Sequence, residues 1–311
     1  MRVLITGGAG FVGSHLCAAL IARGDEVVCV DNLSTGSKSN LLRLAGSPRF
    51  EFVEADITAG IPAPGHIDAV AHLASPASPR DYLRLPLQTL AAGSRGTEHA
   101  LRLAAAYNAR FVLASTSEIY GNPAVHPQPE GYWGNVNPVG LRSVYDEAKR
   151  FAEALTAAWR REHGLNTGII RIFNTYGPQM AASDGRVITT LIVQALAGEP
   201  LTVFGDGGQT RSFCYVNDLV RGLVAMLDCT VPGPVNLGNP EERSITDIAH
   251  LVLEVTKSTS PIRHLPLPVD DPARRRPDIA LARQLLGWQP RIPLPDGIRI
   301  TTDWLRSHIV S

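Results

Sequence analysis

Short apolar runs recur along the chain up to about residue 175: Arg2–Thr6, Glu26–Asp31, Phe50–Glu54, Asp68–Leu73, Arg110–Ala114 and Thr167–Ile172. Each is rich in β-branched residues and too short for a core helix, so each predicts a strand. Between them, His15–Arg23, Gly96–Tyr107 and Tyr145–His163 carry a helical period. The last places Ala148, Phe151, Ala152, Leu155 and Trp159 on one stripe. Alternating strands and helices predict an α/β fold, a doubly wound parallel sheet with both faces covered. After about residue 175 the pattern turns irregular and proline-rich, as in LPLPVDDPARRRPD and GWQPRIPLPDG. This predicts a smaller C-terminal α/β lobe of loops and a few helices over the sheet. The expected division is residues 1–174 plus 216–238 for the sheet domain, and 175–215 plus 239–311 for the lobe.

Composition narrows the function classes. Of 311 residues, 44% are hydrophobic and 19% charged, an ordinary globular balance. Lys plus Arg and Asp plus Glu both total 29, so no net field points to nucleic acid or an anionic membrane. Any anion must be held by locally placed cations. Cys17, Cys29, Cys214 and Cys229 show no CxxC or Cys/His spacing, so no metal site is expected, and buried thiols in a reducing compartment are. The opening MRVLITGG has no charged leader and no run reaches the length of a membrane span, so a cytoplasmic location is the expectation.

The first strand runs into Thr6-Gly-Gly-Ala-Gly-Phe-Val-Gly13 and then a helix. Glycines there let the backbone approach a pyrophosphate, and the helix N-terminus supplies N–H donors and positive dipole. Asp31 ends the second strand about twenty residues on, where a carboxylate takes ribose hydroxyls and repels a 2′-phosphate. The pattern is that of a Rossmann domain and predicts NAD rather than NADP, with Lys38 the nearby cation that bears on the choice. Asp56, ending the third strand, is a candidate for the adenine amino group. Candidate cofactor residues are therefore Gly7, Gly10, Phe11, Val12, Gly13, Asp31, Asn32, Asp56, Ile57 and Leu73, joined by Tyr145 and Lys149. His72 is expected to be a packed strand-end histidine.

Tyr145 and Lys149 are four apart, one helical turn, on one face. A lysine ammonium beside a phenol, with the positive nicotinamide nearby, favours phenolate, so Tyr145 is expected to titrate nearer neutrality and to take a sugar hydroxyl proton. ASTSEIYG, residues 114–121, brings two hydroxyls and a carboxylate to the end of the fifth strand. Together with LASPASP, HPQPEGYWGNVNPVG, YDEAKR, RIFNTYGP, GEPLTVFGDGGQTRSFCYVNDLV, PVNLGNPEE and DDPARRRPDI, these stretches resemble the extended short-chain dehydrogenase/reductase family over nearly the whole chain. Within it they are most similar to UDP-glucuronate decarboxylases, the UDP-xylose synthases.

The resemblance implies a UDP-sugar substrate and four catalytic residues. Thr116 would hydrogen-bond the sugar 4-hydroxyl, Tyr145 would be the base, Lys149 would anchor the nicotinamide ribose, and Glu118 would act near C5. Related 4,6-dehydratases carry an aspartate where this chain has Ser117, which cannot protonate a departing hydroxyl well. A glucuronate instead loses its carboxylate once C4 is oxidised. Arg211 and Arg275 are candidates for the diphosphate, Asn174 adds an amide, and Tyr82 is placed near the substrate carboxylate. Three positions depart from the decarboxylase pattern: Gly93 for Asn, Gln179 for Arg and Leu141 for Pro. The first implies that some 4-keto pentose escapes. A UDP-glucuronate 4-epimerase, a 4,6-dehydratase and a non-catalytic NAD-sensing protein are the alternatives. By the same resemblance, helices near 96–107 and 145–163 pair two copies into a homodimer.

Overall fold

The computed structural model describes residues 1–62, 65–267 and 274–309. The six predicted strands are all present: β1 (Arg2–Thr6), β2 (Glu26–Asp31), β3 (Phe50–Glu54), β4 (Ala69–His72), β5 (Arg110–Thr116) and β6 (Thr167–Ile172). In chain order the helical segments between them are α1 (Phe11–Arg23), α2 (Pro79–Arg84), α3 (Pro86–Ala91), α4 (Thr97–Ala106) and α5 (Ser143–His163). The strands join in one parallel sheet of order β3-β2-β1-β4-β5-β6, extended by β11 (Val235–Leu237) beside β6. The strand order reverses between β1 and β4, where open α/β sheets bind ligands beyond their strands' carboxyl ends. Burial follows position. Every residue of central β5 is buried, whereas edge strand β3 exposes Glu51 and Glu54.

Boundaries differ where glycine or polar residues masked the period. β5 runs on to Thr116, two residues past its predicted end, because Ser115 and Thr116 pair with Arg171 and Ile172 of β6. α1 begins at Phe11, directly on the glycine turn. The predicted helix at 96–107 is the second half of a longer one, in which α3 and α4 are joined by a π-helical turn over Ala92–Gly96. On α5, Ala148 and Ala152 face the core with Leu155 and Trp159 packed beside them, but Phe151 is 51% exposed. It sits at the margin of the predicted stripe and faces away from the sheet.

The second half holds α6 (Val187–Ala197), α7 (Val216–Leu227), α8 (Ile245–Thr256), α9 (Ala280–Leu286) and α10 (Leu294–Ile309). It is less loop-like than expected. β7 (Thr175–Tyr176) pairs with β10 (Cys214–Tyr215), and β8 (Leu201–Phe204) with β13 (Ile262–Leu265). β9 (Thr210–Ser212) lies between β12 (Glu242–Ser244) and β14 (Arg274–Arg275). Strands of two to four residues are too short to show a period. All four cysteines are free, and Cys17, Cys29 and Cys214 are buried. Among the described residues no helix is long and apolar enough to cross a membrane.

Candidate active site

A cleft of about 1460 Å³ opens at the carboxyl ends of β1, β2, β4, β5 and β6, and every candidate residue named from the sequence lines it. At one end lies the glycine turn. Gly7 takes φ +72°, and a Cβ on Gly13 would lie 2.1 Å from the Gly7 carbonyl oxygen. Only glycine lets the helix start so close to the turn. Gly10 caps α1 without a side chain, leaving first-turn N–H groups toward the cleft. Asp31 braces the turn, accepting hydrogen bonds from the N–H groups of Ala9 (3.0 Å) and Leu33 (2.8 Å). Burial pushes its carboxyl up from the ordinary range.

The Asn32 amide reaches Asp56 at 3.4 Å, and the Thr58 N–H donates to Asp56 at 2.8 Å, which holds that carboxyl below its usual range. Phe11, Val12, Ile57 and Leu73 line the same end. Lys38 pairs with Glu54 at 2.7 Å and is thereby occupied. An uncapped helix start, a cradle no side chain fits and an acidic second-strand end suit a dinucleotide with free ribose hydroxyls, so the residues present fit NAD.

At the other end Thr116 closes β5. Its hydroxyl accepts the Glu118 N–H at 3.2 Å and caps a single 3₁₀ turn over Ser117–Tyr120. That cap leaves Thr116 and Glu118 facing the cleft. Lys149 donates to the Ala114 carbonyl at 2.8 Å and stands 5.9 Å from the centre of the Tyr145 ring. Burial lowers its ammonium to about 8. At Tyr145 the protein's own groups oppose ionisation. Burial is the largest influence and drives its phenol well above the usual range, with a hydrogen bond to Thr116 pulling weakly the other way. In the protein alone, the desolvation of the phenolate dominates.

Glu118 is gripped from both sides. Arg142, just ahead of α5, donates to one carboxylate oxygen at 2.7 Å, and Arg275 of β14 donates to the other. Burial opposes ionisation, but the guanidiniums of Arg275 and Arg142 prevail and hold the carboxyl below its usual range. Arg275 is thus directed at the reaction centre, with its second nitrogen on the Gly121 carbonyl. Arg211, the register partner of Arg275 on neighbouring β9, and half-buried Asn174 also line the cleft. Residues 270–273 of the DDPARRRPDI stretch lie outside the described residues.

Sequence reasoning missed Arg142 as a partner of Glu118, although its place three residues before Tyr145 makes it the residue that caps the start of the same helix. It also missed Asp146, which burial and Glu118 raise to about 7. His72 is packed as expected, between Thr6 (2.8 Å) and Thr97 (3.1 Å), and burial lowers it to about 3. Gly93 lies in the π turn, where a Cβ would meet the Cβ of Ala148 at 2.7 Å. Gln179 donates to the Asn40 carbonyl and accepts from Ser14, tying the start of the second half to α1.

The chain has close relatives. It is 50% identical over 308 residues to UDP-glucuronic acid decarboxylase 1 of Danio rerio, covering 99% of this chain and 73% of that protein. It is 49% identical over 312 residues to UDP-glucuronic acid decarboxylase 1 of Arabidopsis thaliana, covering 100% and 71%. UDP-glucuronic acid 4-epimerase from Bacillus cereus, solved with UDP-glucuronic acid and NAD, is 29% identical with a TM-score of 0.88, covering 99% of this chain and 100% of that one. The dTDP-glucose 4,6-dehydratase from Streptomyces venezuelae, solved with NAD, is 26% identical with a TM-score of 0.88, covering 99% and 97%. Residues 3–238 match the NAD dependent epimerase/dehydratase family, and to that family the chain belongs.

Proposed function

We propose that this chain is an NAD-dependent UDP-glucuronate decarboxylase that converts UDP-glucuronic acid to UDP-xylose. The observation that carries the reading is Glu118 held between Arg142 and Arg275 beside Tyr145. Two guanidiniums against one carboxylate leave positive charge in a buried site, which suits a substrate bringing its own carboxylate. The half-identical relatives that carry this activity in their names support it.

When bound, NAD supplies the hydride acceptor for C4, places a positive ring near the phenol and returns the hydride at the end of the turn. Tyr145 takes the proton of the C4 hydroxyl, which Thr116 orients. Lys149, fixed by the Ala114 carbonyl, is charged below about 8 and favours that transfer. A C4 ketone makes the substrate a β-keto acid, whose carbon dioxide leaves as the bond electrons move into the carbonyl. Tyr145 and Thr116 face the oxygen where that charge develops. Glu118, kept ionised, orients water toward C5. Ser117 lacks the acidity that expelling a 6-hydroxyl needs, so dehydration is poorly served. Arg211 and Asn174 take the diphosphate; Arg275, expected there from the sequence, is instead engaged by Glu118 and the Gly121 carbonyl, and Tyr82 takes the carboxylate.

On this reading residues 1–174 with 216–238 hold NAD, and 175–215 with 239–311 hold the sugar nucleotide. The protein works as a cytoplasmic homodimer. Exposed Leu87 and Phe151, on helices that pack together, suit the pairing face, and four free thiols suit a reducing compartment. Incubation with UDP-glucuronic acid and analysis of the nucleotide product by mass spectrometry tests the function. A product lighter by one carbon dioxide supports it, and an isomer of unchanged mass points to epimerisation.

A further inference from the structure

Decarboxylation has a stoichiometric demand that the water oriented by Glu118 meets only if its proton is resupplied every turnover. When the substrate carboxylate leaves C5 as carbon dioxide, a proton from water must take its place once per turnover, whereas the proton Tyr145 removes from the C4 hydroxyl is returned there. The site needs an inlet for that proton, and it must reach C5 without flooding the main cleft.

Behind Glu118 lies a second cavity of about 230 Å³, lined by Asn122, Asn135, Asn137, Arg142, Asp146 and Arg275 among others. Glu118, Arg142 and Arg275 line both cavities and so form the partition between them. The outer rim is exposed at Asn122, Asn135 and Asn137. The inner end is Asp146, only 6% exposed, whose Oδ1 is buried with no hydrogen-bond partner among the described residues. A polar space of this size holds water, and an orphaned buried carboxyl oxygen needs it.

We propose that this chamber is the proton inlet of the reaction, and that Asp146 passes the proton through chamber water, past Glu118, to C5. The proposal rests on the decarboxylase reading. The C5–C6 bond breaks and its electron pair moves into the C4–C5 enolate. A C5–H bond then forms with a proton relayed from the Asp146 carboxyl, and the resulting carboxylate recovers a proton from water at the asparagine rim. Asp146 is a positioning residue, acting through water, and does not touch the sugar. The groups that set its protonation are Glu118 beyond β5, Arg142 ahead of α5, Arg275 on β14, and Glu147 on its own helix, with Tyr82 of α2 also near. Burial and Glu118 keep the acid protonated up to about 7.

The test compares the unsubstituted enzyme with Asp146→Asn and Asp146→Ala on UDP-glucuronic acid. Asp146→Asn should lower kcat by about a hundredfold with KM nearly unchanged. In the unsubstituted enzyme kcat should fall as pH rises through neutrality, and the substitution should abolish that limb. Formate, small enough to enter the chamber, should restore part of the turnover of Asp146→Ala. Wild-type kcat and pH profile in Asp146→Asn would overturn the proposal. So would a loss of activity with an unaltered pH profile and no rescue by formate, which would mark Asp146 as structural. Absence of decarboxylation by the unsubstituted enzyme would overturn the underlying reading itself.

Discussion

The ring of Tyr82 lies parallel to that of Tyr145, with centroids 5.3 Å apart and planes 8° apart. Tyr82 is 2% exposed and its hydroxyl has no partner among the described residues. The stack fixes the plane from which the Tyr145 phenol meets Thr116, so α2, outside the sheet, helps aim a residue on α5.

The stack can be separated from the hydroxyl. Tyr82→Phe keeps the ring and removes an unpartnered buried oxygen, so stability should hold or rise by up to about 1 kcal/mol. If the hydroxyl meets the substrate carboxylate, KM rises with kcat kept. Tyr82→Ala removes the stack and should lower kcat and cost about 3 kcal/mol in stability. Thermal unfolding and steady-state kinetics read both.

Arg142 makes a different claim. Its loss leaves Glu118 with Arg275 alone and removes positive charge from a buried site. Arg142→Ala should reduce kcat/KM by about a hundredfold, or ~3 kcal/mol, because one partner of a buried charge pair is left uncompensated. Arg142→Lys should recover little, since a point charge does not reproduce the guanidinium geometry. Near-normal kcat/KM in the alanine variant would mean that Arg275 alone holds Glu118.

Gly93 is explained by its neighbour on α5. Restoring a side chain with Gly93→Asn should press on Ala148, next to Lys149, and destabilise the protein by about 1–3 kcal/mol. Adding Ala148→Gly removes the Cβ that stands 2.7 Å from the new one and should recover part of the loss. A double-mutant cycle by chemical denaturation measures the coupling, and strictly additive effects would separate the two positions.

The pH dependence of stability follows from two buried groups of opposite sign. Asp146 is raised from 3.8 to about 7, so the folded state binds its proton more tightly, and its contribution is lost as pH rises between those values. His72 is lowered from 6.5 to about 3, so the unfolded state takes up the proton first, and stability is lost as pH falls from 6.5 toward 3. Asp146→Asn should therefore gain stability relative to the unsubstituted protein as pH rises from 4 to 8: the variant keeps only the His72 loss and weakens toward acid, whereas in the unsubstituted protein the two contributions oppose each other. Parallel melting curves across that range would count against a neutral Asp146.

Much of this was legible in the chain. The strand runs, the glycine turn and the Tyr145–Lys149 spacing are local patterns set by single elements, and they fell where expected. What stayed hidden depends on contacts between distant segments. The Glu118 grip joins the end of β5, the start of α5 and β14, and no period links residues 118, 142 and 275. The Tyr145 phenol was expected low from a lysine one turn away together with the nicotinamide, and the burial that opposes them is a property of the assembled core that no local pattern shows. The exposure of Phe151 likewise shows that a helical stripe gives a face without giving its edges.

The central claim is decarboxylation by an enzyme that regenerates its own NAD. The most direct measurement is the mass of the sugar nucleotide after incubation with UDP-glucuronic acid and no added NAD. A product lighter by one carbon dioxide is the predicted result. A product lighter by carbon dioxide and two hydrogens would show the 4-keto pentose leaving before re-reduction, as the Gly93 departure implies. Unchanged mass with a second isomer on chromatography would contradict the account.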